Sequence, residues 1–198
     1  MINERALLDD KDLNIMKSLM DHGADVGAQN NENMTPLHLA ANKGQIKVVQ
    51  LLLDHGASVH ARNRDSWTPL HHASHTGCSD VIQLLSDHDA DLNAPNSSYN
   101  TPLHQAAWEG RGAAALLLVK HGASICAQNQ WSNTPLHDAS STGYSDVVQL
   151  LLKHGADVNT RNDSHNTPLH LAAWEGKFSV AQATGQVRCQ YRREESMV

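Results

Sequence analysis

The chain is 198 residues long, enough for one compact domain or one array of small units. Its 15 lysines and arginines stand against 21 acidic residues, a net charge of −6 with histidine neutral, which disfavours a sequence-independent grip on nucleic-acid phosphates. The longest apolar run, Ala113 to Val119, is far too short to span a bilayer, so no membrane insertion is expected.

The first element in chain order falls within residues 1–29. Its start, "MINERALLDDKDLN", is acidic and carries no apolar stretch of the secretory type. The following "LNIMKSLMDHGADV" predicts a helix, with Asp9, Asp10, Lys11 and Asp12 as a polar cap in front of it. The next stretch, 30–62, holds two predicted helices. Thr35 before Pro36 places an N-cap residue ahead of a fixed φ suited to a first helical turn. That helix is expected to end near Gly44. A second runs through "QIKVVQLLLDH", with Ile46, Val49, Leu52 and Leu53 as its apolar face. Gly56 stops it, and the polar, turn-like "ASVHARNRDSW" leads to the next Thr-Pro.

The same sentence then recurs. "TPLH" begins at Thr35, Thr68, Thr101, Thr134 and Thr167, always 33 residues apart. His-Gly-Ala at His22, His55, His121 and His154, with His-Asp-Ala at His88, keeps that step, as do Gly44, Gly77, Gly110, Gly143 and Gly176. One period shared by three markers signals stacked supersecondary units. The full units are 30–62, 63–95, 96–128 and 129–161. A truncated unit follows at 162–182, then a tail at 183–198 expected to be disordered. "NTPLHQAAWEG" at 100–110 and "NTPLHLAAWEG" at 166–176 differ at a single position two periods apart, which suggests duplication of a repeat pair. No single unit can bury its own apolar face, so neighbours must stack. Two positions break the pattern. Asp89 replaces a helix-ending glycine, and Gly112, Ala114 and Ala115 stand where Ile46, Val48 and Val49 stand earlier. A softer centre, with a cavity beside the alanines, is expected there.

The period, the "TPLHxAA" helix start, the "VVxLLLxxGA" second helix and the "DVN" exit together resemble ankyrin repeats over roughly residues 2–182. The resemblance implies an all-α solenoid of stacked helix-turn-helix units with projecting β-hairpin loops. It also implies that the TPLH histidine braces its own and adjacent loops. Protein–protein recognition is the role it implies, without catalysis by the repeats and without a cofactor. The expected function is therefore a non-enzymatic module that binds a partner protein through its concave face and hairpin tips, as a monomer. Two alternatives stand beside it. One is an adaptor or targeting fragment of a larger enzyme complex, such as the substrate-recognition part of a ubiquitin ligase; the other is a structural or cytoskeletal anchoring array.

Within that frame the four tryptophans are the candidate contacts. Trp67, Trp108, Trp131 and Trp174 lie at −1, +7, −3 and +7 from their Thr-Pro steps, slots that the resemblance maps to loop tips and the exposed side of the first helix. Large rigid aromatics are enriched at binding hot spots. The competing reading is that a tryptophan at +7 packs on its neighbour's loop. Met34, Arg64, Asp65, His75, Glu109 and Glu175 map to the same surface. Ten of the 14 histidines are repeat markers. His71, His72, His75 and Cys78 raise the idea of a metal site, but Gly77 is expected to end the helix before Cys78, and the scaffold reading is preferred. Hydrolase, metalloprotease and phosphate-loop motifs are absent, so no catalytic or metal residues are assigned. Three scattered cysteines (Cys78, Cys126, Cys189) form neither a disulfide framework nor a zinc ribbon and suggest an intracellular setting, in cytoplasm or nucleus.

Overall fold

The computed structural model describes residues 10–177, and among them ten helices and no strand. Helix α1 spans Asp10–Asp21. Five helices open at a Thr-Pro step: α2 (Pro36–Lys43), α4 (Pro69–Thr76), α6 (Pro102–Trp108), α8 (Pro135–Thr142) and α10 (Pro168–Trp174). The first four of these are each followed by a partner: α3 (Ile46–Asp54), α5 (Ser79–Asp87), α7 (Gly112–Lys120) and α9 (Ser145–Lys153). The Thr-Pro helices pack side by side as one row, and their partners form a second row behind them, with α1 against α3. No helix among the described residues is long and apolar enough to cross a membrane.

Each Thr-Pro start is built the same way. Thr35 is extended, Pro36 takes the first helical position, and Thr35 and His38 form a reciprocal capping box. The Thr35 amide donates to His38 Nδ1 at 3.1 Å, and the Thr35 hydroxyl lies 2.8 Å from the same nitrogen. On its far side His38 Nε2 reaches the Trp67 carbonyl at 3.0 Å. A carbonyl can only accept, so Nε2 carries the proton and Nδ1 is the acceptor. His71, His104 and His137 repeat this bridge to the carbonyls of Asn100, Asn133 and Asn166. Each neutral histidine thus ties one unit to the loop of the next.

The loops are turns rather than regular hairpins. Asn30, Asn63, Asn96, Asn129 and Asn162 recur at the repeat period, and each side-chain oxygen accepts from the amide two residues on. A left-handed residue closes every turn: Asn33, Ser66, Tyr99, Ser132 and His165. Neighbouring tips are joined by backbone bonds, Arg64 to Glu32 (3.1 Å), Ser97 to Asp65 (2.9 Å), Gln130 to Ser98 (3.0 Å) and Asp163 to Trp131 (3.1 Å).

Two expectations change in detail. The buried face of α3 is Val48, Val49, Leu52 and Leu53, whereas Ile46 is 42% exposed. It lines a groove with Leu13, Asn14 and Lys17 of α1, which cover it only in part, so Ile46 is not a core residue. Gly112, in that same slot, therefore forgoes little burial, and a Cβ there would touch nothing within 4 Å. The loss at α7 comes from Ala114 and Ala115 alone, both fully buried. Asp89 does hold the left-handed conformation, at φ 61°. The expected tail at 183–198, the last residues of the truncated unit and Asp9 lie outside the described residues.

Gly110 shows how tightly adjacent units approach. It is left-handed (φ 66°), and a Cβ there would lie 2.4 Å from the ring of Tyr144 in the next unit. Gly110→Ala is expected to cost about 3 kcal/mol, from backbone strain plus overpacking. Gly122→Ala, equally left-handed but with open space, isolates the backbone part. Urea midpoints check this; equal losses in the two variants would show that Tyr144 simply swings aside.

Candidate functional site

A cleft of about 260 Å³ opens between the third and fourth full units. Helix α6 contributes His104, Gln105 and Trp108 to its wall, and α8 contributes Asp138. The connecting loops add Asn100, Asn129, Trp131 and Asn133. The periodicity alone sets Trp108 and Trp131 on different units. The fold brings them to one opening because the −3 slot of one unit overhangs the +7 slot of the unit before it. Each indole is 52% exposed. α6 ends at Trp108, with Glu109 as its cap, so the ring sits at the helix end and not along its flank.

The other tryptophans are placed differently. Trp67 is half-buried and lies on its own helix, its ring 5.8, 5.0 and 5.7 Å from those of His71, His72 and His75. Trp174, in the slot of Trp108, is 88% exposed. Arg64 and Asp65 are exposed at a loop tip, and Glu175 is exposed at the end of α10. His75 faces Glu109 at 3.5 Å, so these two are partners across neighbouring units. Met34 is a correction to the sequence reading. It is only 8% exposed, because an unbranched apolar chain in that slot withdraws from water. Gly77, left-handed at φ 78°, ends α4, and Cys78 caps α5, so His71, His75 and Cys78 share no helical face.

Asp138 and Gln105 were not expected from sequence. Both occupy the slot after the TPLH histidine, held elsewhere by Leu39, His72 and Leu171. The available signal was a carboxylate in "TPLHDAS"; the slot is buried at Gln105 and Asp138 but exposed at Leu39. Asp138 is 6% exposed, and burial pushes its carboxyl up to about 8. Burial also holds His104 down at about 4 and His71 at about 4, against smaller opposing effects of their carbonyl partners. Asn129 is held at both ends: its oxygen accepts from Trp131 and Asn133, and its amide donates to Asn100 Oδ1 at 2.9 Å.

Compared with known proteins, the chain is matched by a family model described as ankyrin repeats (3 copies), over residues 5–96, 60–129 and 103–183. No curated protein matches it.

Proposed function

The chain belongs to the ankyrin repeat family, and from that premise we propose that it is a non-enzymatic recognition module, binding a partner protein through its concave face and loop tips. The family generally serves protein–protein interaction, which is the coarse part of this reading. The observation that carries the finer part is the cleft between the third and fourth units. Two half-exposed indoles frame an opening whose floor is polar and rigidly bonded. Exposed tryptophans bury large rigid area at low entropic cost when a partner covers them. Tyr99, 61% exposed at the tip of a neighbouring loop, extends the aromatic surface. An intracellular setting belongs to the same reading, in keeping with the exposed thiol of Cys126.

The test is affinity enrichment from cell lysate with wild type and Trp108→Ala/Trp131→Ala, using far-UV circular dichroism as the folding control. Trp67 is left intact because it packs on histidines. The double variant should lose a specifically captured protein by roughly tenfold or more, the scale of a hot-spot pair. Equal capture by two folded proteins would move the recognition surface away from this cleft.

A further inference from the structure

We propose that the cleft framed by Trp108 and Trp131, with Asp138 in its wall, receives one cationic side chain, lysine or arginine, carried on the partner polypeptide. The inference rests on the recognition reading above and names the chemistry of its central contact.

The argument begins with an unpartnered group. Asp138 is 6% exposed and lines the cleft, yet its carboxyl has no hydrogen-bond partner among the described residues. Buried carboxyls are ordinarily hydrogen-bonded or paired with a cation. None of the neighbouring polar groups among the described residues donates to it. His104 uses one nitrogen on Thr101 and the other on the Asn133 carbonyl. Asn129 and Asn100 are bonded to each other, and Asn133 accepts from Asn162. Gln105 is the lining amide whose side chain makes no hydrogen bond among the described residues, and its oxygen can accept from a cation as well. Among the described residues no lysine or arginine lines the cleft, so none of them supplies a counter-ion.

The remaining wall suits a cation too. Indole faces attract ammonium and guanidinium groups, and the two rings at this opening are half-exposed. Their apolar area also accommodates the methylene stem of a lysine or arginine. The volume of about 260 Å³ is at the low end for a small-molecule ligand and matches a single long side chain. The net charge of −6 favours encounter with a basic partner. The slot comparison sharpens the assignment: beside Trp67 the equivalent position is His72, packed 5.0 Å from the indole, so that site is closed and holds no acid. Since the free carboxyl holds a proton up to about pH 8, entry of a cation near neutrality releases that proton to solvent.

The test titrates the full chain with three capped pentapeptides, glycine at every position except a central lysine, arginine or norleucine, while following the tryptophan indole N–H signals by NMR. Saturable shifts at Trp108 and Trp131, with Trp67 and Trp174 unmoved, are expected for at least one cationic peptide. Norleucine, which keeps the stem and removes the charge, should bind roughly tenfold more weakly or worse, the scale of one charge-assisted contact. Which of lysine and arginine binds more tightly identifies the group. Asp138→Asn and Asp138→Leu should both abolish the preference; asparagine keeps the shape of the side chain and leucine stands in this slot in two other units, so the two variants load the fold differently. No saturable shift with either cation, equal binding of norleucine, or a preference that survives in the folded variants would overturn the inference. If it fails while the lysate capture still depends on Trp108 and Trp131, the recognition reading stands and only the cationic ligand is lost.

Discussion

Lowering the pH from about 6.5 to about 4 is expected to unfold this protein cooperatively, unit interface by unit interface. The cause is the row of bridging histidines. In the fold, His71 and His104 are held neutral, with pKa values pressed down to about 4, chiefly by burial. In the unfolded chain each returns to its ordinary 6.5. Between those limits the unfolded state binds more protons, so stability is present above pH 6.5 and is lost as pH falls toward 4. Each of the two contributes about 3 kcal/mol to that loss. His38, His72 and His137 are shifted in the same direction and add to it. The bonding explains why protonation is not absorbed locally. Nδ1 already accepts from the threonine amide, so a proton there sets one N–H against another, in a ring buried from solvent. The measurement is the urea midpoint from pH 7 to pH 4.5, together with the histidine ring signals by NMR. His71 and His104 should show the Nε2–H tautomer and titrate only with unfolding. A midpoint that does not move, or free titration of these rings in the folded state, would refute the assignment.

Those histidines also mark what was legible in the letters. Helix starts, the 33-residue step and the second-helix apolar stripe follow from Thr-Pro, glycine and leucine spacing, which are local signals, and the fold obeys them. The Asn30, Asn63, Asn96, Asn129 and Asn162 series was equally periodic. It went unread because its work, accepting amides inside a turn, has no apolar signature. Ile46 stands outside the core because α1 covers it only in part, which the periodicity of a single helix does not encode. The cleft was the least legible feature. Trp108 and Trp131 belong to different units, and Asp138 to a helix whose burial is set by the row on either side. Such a site exists only between repeats, whereas the periodic reading describes what is common to them.

The second large effect runs the other way with pH and is centred on Asp138. Its carboxyl moves from an ordinary 3.8 to about 8 in the fold, with burial as the cause. Between those values the folded state binds the extra proton, so this group's contribution falls as pH rises from about 4 to above 8. The full swing is about 6 kcal/mol. Asp138 stands in the first turn of α8, where the positive end of the helix favours the charged form. That effect is worth about 0.5–1 kcal/mol and does not offset the burial. Asp138→Leu should therefore match or exceed wild type at pH 6 and gain several kcal/mol over it at pH 9. Chemical denaturation at the two pH values, by far-UV circular dichroism, makes the comparison. Because stability in a stacked array is nearest-neighbour in character, the alkaline loss in wild type should appear first at the α6–α8 interface, as faster amide exchange there. A variant whose advantage is the same at both pH values would mean that packing, and not the carboxyl's charge, is responsible. A residue that weakens the array at neutral and alkaline pH, yet faces an open cleft with no partner of its own, is the pattern expected of a group kept for binding rather than for folding.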